Sequence, residues 1–176
     1  MNLRIVISGR PGVGKTTLVR QVHECFPKLF RGFYTEEVRE KGIRMGFRIV
    51  TLSGRTGTLA ARGASSPFRV GEYAVFVQEF ENTAIPELEE ALKFRTPCLI
   101  DELGKMEFFS QRFMEILKPL WEKVPLLLAT TRFPAIPQVK EFLTQEETVL
   151  LFLTPQNREE VFTRVVQKIQ TFTQGE

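Results

Sequence analysis

Four short, largely apolar runs divide the chain, and each is typical of a strand buried on both faces. They occupy residues 3–8, 97–100, 126–130 and 149–153. Between and after them, apolar residues recur every three or four positions, which predicts amphipathic helices. The helical groups are Leu18, Val22, Cys25, Phe26 and Leu29; Ile85, Leu88, Ala91 and Leu92; Phe113, Ile116, Leu117 and Leu120; and Val161, Val165, Ile169 and Phe172.

Helix boundaries follow from capping residues and prolines. The first helix is expected to fade near Pro27. Thr83 and Pro86 predict the start of the second helix, and Thr154 followed by Pro155 predicts the start of the last one.

Residues 32–77 follow a different period. Ile43, Met45, Phe47 and Ile49 alternate with other residues, as in a strand with one buried face. Further strands are predicted at residues 32–38, 58–61 and 74–77, with a turn at residues 40–42. This stretch is therefore expected to be a β-rich insertion after the first helix.

Strands that alternate with helices predict an α/β fold with a mostly parallel sheet covered on both sides. A chain of 176 residues without repeats or a long linker suits one domain, residues 1–176, with the insertion at about 32–77.

Composition is that of an ordinary globular protein, with 43% hydrophobic and 26% charged residues. No apolar run reaches the ~20 residues that cross a bilayer, and the N-terminus lacks the pattern of a signal peptide. Cys25 and Cys98 are expected to be small buried hydrophobes. We therefore expect a cytoplasmic protein without a membrane partner, and a monomer is the working expectation.

Charge is uneven although the net charge is only +3. Between residues 31 and 69, eight basic residues face three acids, an excess that either steers anions or forms a solvated strand face. No basic run with interleaved aromatic residues marks a nucleic-acid surface, so nucleic acid is not a favoured partner.

The most informative motif follows the first apolar run. Residues 9–16, Gly-Arg-Pro-Gly-Val-Gly-Lys-Thr, fit the phosphate-binding pattern G-x-x-x-x-G-K-[ST] between a predicted strand and a predicted helix. Loop amides and the helix N-terminus attract phosphate oxygens. Lys15 is expected to reach the β- and γ-phosphates, and the Thr16 hydroxyl to hold Mg²⁺.

A second apolar run, residues 97–100, ends in Asp101 and Glu102. Ligands of parallel sheets collect at the C-terminal strand ends, so these acids should lie near the glycine loop. Asp101 is expected on the metal side, directly or through a water. Glu102 is expected to orient or deprotonate the attacking water, although it could also be a solvated residue at the strand end.

Three further cationic side chains are candidates for contact with the nucleotide. Arg132 follows the strand at residues 126–130, where it either stabilises charge on the γ-phosphate or lies in solvent. Arg55, in a Gly-Arg-Thr-Gly turn, is a candidate phosphate contact or simply a turn residue. Lys105 either lies near the nucleotide or pairs with Glu107.

The glycine loop, the run Asp-Glu-Leu-Gly-Lys-Met-Glu at residues 101–107, and the Gly-Arg-Thr-Gly turn at residues 54–57 with Leu59-Ala60 resemble the small nucleoside-triphosphatase family of hyperthermophiles and its cancer-related animal relative. The acidic run is the more specific of the motifs, and the resemblance covers nearly the whole chain.

That resemblance implies a P-loop fold in three layers, Mg²⁺ dependence, and slow hydrolysis of several nucleoside triphosphates to diphosphate and phosphate. It places nucleotide contacts in two segments. The first comprises Gly9, Arg10, Pro11, Gly12, Val13, Gly14, Lys15, Thr16 and Thr17, within which the resemblance gives the side chain of Arg10 no role. The second comprises Leu99, Ile100, Asp101, Glu102, Leu103, Gly104, Lys105 and Met106.

The leading hypothesis is Mg²⁺-assisted cleavage of the β–γ bond of ATP, GTP, CTP and UTP, with Lys15, Glu102 and Arg132 as catalytic residues and Thr16 and Asp101 on the metal. Base selectivity is expected to be loose, because no Asn-Lys-x-Asp element that reads guanine occurs. A nucleoside or small-molecule kinase and a nucleotide-controlled binding module stay open as alternatives.

Overall fold

The computed structural model describes residues 2–175. The elements follow in the order β1 (Leu3–Gly9), α1 (Lys15–Cys25), β2 (Arg31–Glu40), β3 (Ile43–Thr51), β4 (Thr56–Arg62), β5 (Arg69–Val70), β6 (Tyr73–Val75), α2 (Val77–Phe94), β7 (Cys98–Ile100), α3 (Gln111–Lys123), β8 (Leu126–Arg132), α4 (Pro137–Leu143), β9 (Thr148–Phe152) and α5 (Arg158–Gln174), with one 3₁₀ turn at Glu107–Phe109.

All nine strands belong to one sheet, in the order β5-β6-β4-β3-β2-β7-β8-β1-β9. Strands β2, β7, β8, β1 and β9 pair in parallel. Strands β2 to β6 pair antiparallel and extend the same sheet. The α/β class with a β-rich insertion after the first helix is therefore confirmed, and β2 is the strand at which the parallel half meets the insertion.

Helices cover both faces of the sheet, and the parallel strands are buried on both sides. Ile5 and Ile7 of β1 pack in one core with α1 and α5, whereas Val6 packs in the other core with α2 and α3. The same alternation occurs in β8, where Leu126 and Leu128 lie in the first core. This explains why these strands read as continuous apolar runs rather than alternating ones.

Helix α2 begins earlier than the sequence predicted. It starts at Val77, so Thr83 is well inside it and Pro86 lies in its interior rather than in its first turn. The apolar run ending at Val77 resembles a strand, but the buried Phe80 and Leu88 continue a helical face back to that point. Tertiary packing of this face outweighs the hydrogen bond that Pro86 cannot donate.

The last helix begins later than predicted, at Arg158 rather than at Pro155. Asn157 explains the difference because its side chain closes the preceding turn. Its Oδ1 accepts from Thr154 N at 2.7 Å, and its Nδ2 donates to Phe152 O at 2.7 Å. Helix α4 was not predicted.

One of the two cysteine predictions was wrong. Cys98 is buried in β7, where burial raises the pKa of its thiol to about 12, but Cys25 is exposed at the end of α1. Cys25 lies in the last turn of the helix, beyond the reach of the strands that bury Leu18 and Val22.

Across residues 2–175, none of the helices is both long and apolar enough to cross a membrane.

Candidate active site

The glycine loop connects β1 directly to α1, so its backbone is fixed at both ends. Gly14, immediately before the helix, has φ 105°, a conformation that side-chain-bearing residues rarely adopt. Helix α1 begins at Lys15, and its N-terminal N–H groups therefore open at the loop. A loop and helix N-terminus in this order form an anion-binding arrangement.

Lys15 is buried within this arrangement. Its Nζ donates to Gly9 O at 2.7 Å and to Arg10 O at 3.2 Å, and it lies 3.8 Å from Glu102 Oε2. Burial lowers the pKa of Lys15, while the nearby carboxylates of Glu102 and Asp101 oppose that shift. The ammonium is thus held between the loop carbonyls and the acids that follow β7.

Asp101 lies at the centre of the site with only 1% of its surface exposed. Its Oδ2 accepts from Thr16 Oγ1 at 2.8 Å and from Thr35 N at 3.3 Å, and its Oδ1 accepts from Thr130 Oγ1 at 2.5 Å. Burial raises the pKa of Asp101, and these hydrogen bonds and Lys15 counteract that effect. The carboxylate joins the glycine loop to three strands.

Strand register brings these groups together. Strand β8 lies between β1 and β7, with Ile7 opposite Thr130 and Ile100 opposite Ala129. Asp101, one residue beyond Ile100, is therefore level with Thr130 at the same edge of the sheet. The sequence prediction that the loop and the acids share an edge matches this geometry. Thr130, which ends the apolar run of β8, donates its hydroxyl hydrogen bond to Asp101.

Glu102 is paired with a second buried acid that the sequence analysis did not assign to the site. A Cβ placed on Gly104 would come within 2.8 Å of Glu102 Oε1 and 2.9 Å of Glu107 Oε1, so both carboxyl groups converge on this glycine. Burial raises the pKa of Glu107 well above its ordinary value, and the charge of Glu102 adds to the shift. The pKa of Glu102 is also raised by burial, while Lys15 acts against it. The only sequence signal for this pair of acids is that both belong to the run at residues 101–107.

Arg132 ends β8 directly opposite Gly9 of β1. Its side chain is exposed. Burial dominates the pKa shifts of Lys15 and Glu102, and the charge of Arg132 makes a smaller contribution that adds to the lowering at Lys15 and opposes the raising at Glu102. Arg132 therefore lies at the rim of the same site, close enough for its charge to affect Lys15 and Glu102.

Several predicted contact residues lie elsewhere. Arg55 donates to Thr83 O at 3.1 Å and faces Glu87 at 3.8 Å, so its guanidinium packs against α2 and does not line the cleft at the loop. In the second segment, the side chains of Leu99, Ile100 and Leu103 belong to the hydrophobic cores. The segment reaches the cleft through its two acids, Asp101 and Glu102, because the strand residues before them point into the helix layers.

The two alternatives for Lys105 fare differently. Among the ion pairs of residues 2–175 none joins the exposed Lys105 to the buried Glu107, and a position of Lys105 near the nucleotide stays a prediction. Met106 packs against the core that contains α2 and α3.

The insertion supplies the second wall of a cleft of about 450 Å³. One wall carries Lys15, Thr16, Asp101 and Glu102, and the opposite wall carries residues of β2 and β3, namely Thr35, Glu36, Glu37, Arg44 and Phe47. A larger cavity of about 690 Å³ lies between the start of β1 and α5, at the end of β1 remote from the loop.

The basic excess of the insertion is largely paired. Arg48 faces Glu36 at 3.2 Å, Arg62 faces Glu72 at 2.7 Å, and Arg31 contacts Glu90 of α2. Glu36 of β2, Glu72 before β6 and Glu90 of α2 thus neutralise much of the local positive charge. This favours a solvated, ion-paired face over an anion-steering surface.

The arrangement defines a P-loop NTPase-like α/β protein: a strand–glycine loop–helix unit, with an acid from the parallel strand β7, separated from β1 by β8, hydrogen-bonded to Thr16 at the end of the loop. A family model described as "NTPase" matches residues 4–166. The chain belongs to this NTPase family, as the motifs at the loop and at residues 101–107 predicted.

Relatives from distant organisms align along the whole chain. The nucleoside-triphosphatase THEP1 of Thermotoga petrophila is 37% identical over 174 residues, covering 99% of this chain and 96% of the relative. The cancer-related nucleoside-triphosphatase of Homo sapiens is 36% identical over 187 residues, covering 97% and 98%.

Solved structures show the same architecture. The crystal structure of THEP1 from the hyperthermophile Aquifex aeolicus superposes with a TM-score of 0.86 at 40% identity, covering 94% of this chain and 98% of the other. The solution structure of a human cancer-related nucleoside triphosphatase gives a TM-score of 0.82 at 34% identity, covering 96% and 98%.

Proposed function

We propose that this protein is a nucleoside-triphosphatase that cleaves the β–γ bond of nucleoside triphosphates with the help of Mg²⁺. The observation that carries the proposal is the 2.8 Å hydrogen bond between Thr16 Oγ1 and Asp101 Oδ2, which joins the phosphate-binding loop to the acidic strand end. The nucleoside-triphosphatase activity of relatives that align along the whole chain supports the same reaction.

Phosphate binding falls to the loop amides and to Lys15. The ammonium already lies among loop carbonyls and 3.8 Å from Glu102, so a bound triphosphate would take over part of that contact. Lys15 would then offset charge on the β- and γ-phosphate oxygens as the bond breaks. Arg132, at the rim, would offset charge on the outer oxygens.

Water activation is assigned to Glu102. Its raised pKa and its position beside Lys15 suit a group that accepts a proton from water, or orients water, near the γ-phosphate. Burial and the charge of Glu102 raise the pKa of the neighbouring Glu107 carboxyl, which favours its uncharged form and so limits the negative charge beside Glu102. Positioning and charge stabilisation supply most of the acceleration in phosphoryl transfer.

The donor set fits Mg²⁺. Thr16 and Asp101 offer hard oxygen atoms, and among residues 2–175 no cluster of three or more His, Cys, Asp or Glu side chains forms a dedicated protein cage. That is the pattern expected when a cation is held by one or two protein oxygens together with phosphates and waters. When bound, Mg²⁺ would neutralise charge developing on the phosphates.

The proposal keeps the broad substrate range ATP, GTP, CTP and UTP. The sequence contains no motif whose polar side chains would recognise one base. The cytoplasmic location and the monomeric state stay predictions.

A phosphate-release assay tests the reaction. Purified protein is incubated with each of the four triphosphates, with Mg²⁺ or with excess chelator, and phosphate and diphosphate products are quantified. Steady release with Mg²⁺ and loss of release with chelator are expected. No turnover of any triphosphate, or equal turnover with chelator, would contradict the proposal.

A kinase is the second candidate, because the cleft continues from Glu102 to the polar wall formed by β2 and β3. Hydroxyl acceptors added to the same assay distinguish the two. Hydrolysis predicts equal amounts of free phosphate and diphosphate without an acceptor. A kinase predicts that diphosphate forms only when an acceptor is added, with the γ-phosphoryl group on the acceptor and free phosphate near background.

A further inference from the structure

A second cleft, of about 480 Å³, lies on the other side of the glycine loop. One wall is the loop itself, residues 9–13. The other wall is formed by Phe133, which follows β8, and by residues 152–156, which begin at the last residue of β9. Pro11 and Gly12 line this cleft and the charged cleft described above, so the two clefts adjoin at the loop.

Two exposed phenylalanines form the apolar part of this cleft. Phe133 is 48% exposed and Phe152 is 50% exposed. Their ring centroids lie 5.7 Å apart with the planes at 82°, an edge-to-face pair. Large aromatic side chains left exposed next to each other are typical of a binding surface rather than of a folded core.

Backbone hydrogen bonds tie the segments that carry the two rings to the loop. Phe133 N donates to Gly9 O at 3.0 Å, and Leu153 N, next to Phe152, donates to Ser8 O at 2.7 Å. Both aromatic segments are therefore tied to the last two residues of β1, from which the glycine loop starts. A ligand bound at the loop would lie beside both rings.

Several polar groups on the β9 side are already paired with one another. Thr154 N donates to Asn157 Oδ1, Phe152 O accepts from Asn157 Nδ2, and Thr154 Oγ1 accepts from Gln156 N at 3.3 Å. These groups are committed to closing the turn before α5. A planar ring in the cleft would meet mainly aromatic and aliphatic surface there.

We propose that this cleft binds the nucleobase of the substrate, stacked on Phe133 or Phe152 while the triphosphate lies on the glycine loop. The inference rests on the proposed function and names the part of the protein that holds the base. Every base has a π-face, so stacking holds purines and pyrimidines alike, and the paired polar rim explains a loose choice of base. Larger purine rings cover more of the aromatic surface and are expected to bind more tightly.

The first experiment compares ATP with inorganic tripolyphosphate, which has the phosphates but no base. For Phe133→Ala and Phe152→Ala, the ratio of kcat/KM for ATP to kcat/KM for tripolyphosphate should fall about fivefold or more, mainly through a higher KM for ATP. Phe94→Ala, which removes an exposed phenylalanine at the end of α2, should keep the wild-type ratio. An unchanged ratio in both cleft variants overturns the proposal.

The second experiment needs no hydrolysis. Phe152→Trp places an indole in the cleft, and the native Trp121 is buried in α3 against Phe142, away from solvent. A methylene-bridged ATP analogue should quench the new fluorescence with saturation, whereas tripolyphosphate should change it little. Equal responses to the two ligands, or no response to the analogue at saturating concentration in calorimetry, overturn the proposal.

The two experiments separate the failure of the inference from that of the proposed function. Saturable quenching by the analogue in a protein that hydrolyses no triphosphate would keep the base site and reject the hydrolase. Normal hydrolysis with an unchanged ATP-to-tripolyphosphate ratio in both alanine variants would keep the hydrolase and reject the base site.

Discussion

The parallel half of the sheet and the antiparallel insertion differ in what their strands bury. Strands β7, β8 and β1 are covered by helices on both faces, and their C-terminal ends carry Asp101, Arg132 and the glycine loop. The β2–β3 hairpin is half-covered, and its outer end is open: Ile43 is 58% exposed, and nearby arginines pair with acids.

The two regions therefore differ in how rigidly they hold their side chains. A strand fixed on both faces holds side chains at its end with little freedom, which suits groups that must meet phosphates within tenths of an ångström. A half-exposed hairpin forms the far wall of the cleft but depends on surface ion pairs, which contribute little stability. Substitutions in the parallel half should therefore have larger effects than matched substitutions in the insertion.

The largest effect is expected for Lys15→Ala. Removal of the ammonium should lower turnover of ATP about a thousandfold and weaken triphosphate binding, because the charge on the β- and γ-phosphates loses its partner. Phosphate release and calorimetric titration with the ATP analogue measure the two effects. Lys28→Ala, an exposed lysine after α1, serves as the control; unchanged binding in Lys15→Ala would remove the phosphate role.

Stability provides the next comparison. Leu128→Ala in β8 should lower the free energy of unfolding by about 2–5 kcal/mol, because it leaves a cavity in a fully buried core. Ile43→Ala at the outer end of the hairpin should change it by about 0.5 kcal/mol or less. Urea unfolding followed by circular dichroism measures both. Similar losses in the two variants would show that the insertion is packed as firmly as the parallel half.

The two walls of the cleft can be compared with one chemical change. Glu102→Gln should lower kcat about a hundredfold while keeping nucleotide affinity, because an amide accepts no proton from water. Glu36→Gln, on the β2 wall and paired with Arg48, should stay close to wild type. A loss of kcat in Glu36→Gln as large as that in Glu102→Gln would contradict the assignment of water activation to the Glu102 wall.

The smallest predicted difference concerns two arginines. Arg132→Ala should lower kcat about tenfold, the effect of one charged hydrogen bond made in the transition state. Arg55→Ala should change kcat about twofold or less, because its guanidinium contacts α2 rather than the cleft. Kinetics with ATP under saturating Mg²⁺ measure both, and a larger loss at Arg55 would reverse the assignment.

The sequence predicted the parts of the fold that local patterns determine. The buried strands, the hairpin and the position of the loop between β1 and α1 all follow from apolar runs and glycines. Helix starts were less well predicted, because Phe80 extends α2 by tertiary packing and Asn157 delays α5 through its side-chain bonds.

The sequence predicted only those parts of the site that follow from the positions of the strand ends. Asp101 and Thr16 were expected to meet because ligands collect at one edge of a parallel sheet. The contacts of Thr35 and Thr130 with Asp101 depend on strand order and register, which the sequence does not state. The convergence of Glu107 on Glu102 depends on the tight path of the chain at Gly104.

The most direct test of the central claim, that the loop threonine and Asp101 jointly hold a divalent cation, is Mn²⁺ binding in the presence of the methylene-bridged ATP analogue. Electron paramagnetic resonance reports free and bound Mn²⁺. The account predicts a single site whose affinity falls about tenfold or more in Asp101→Asn, with a wild-type melting temperature confirming the fold, and little change in Glu36→Gln. Equal Mn²⁺ affinity in wild type and Asp101→Asn would contradict it.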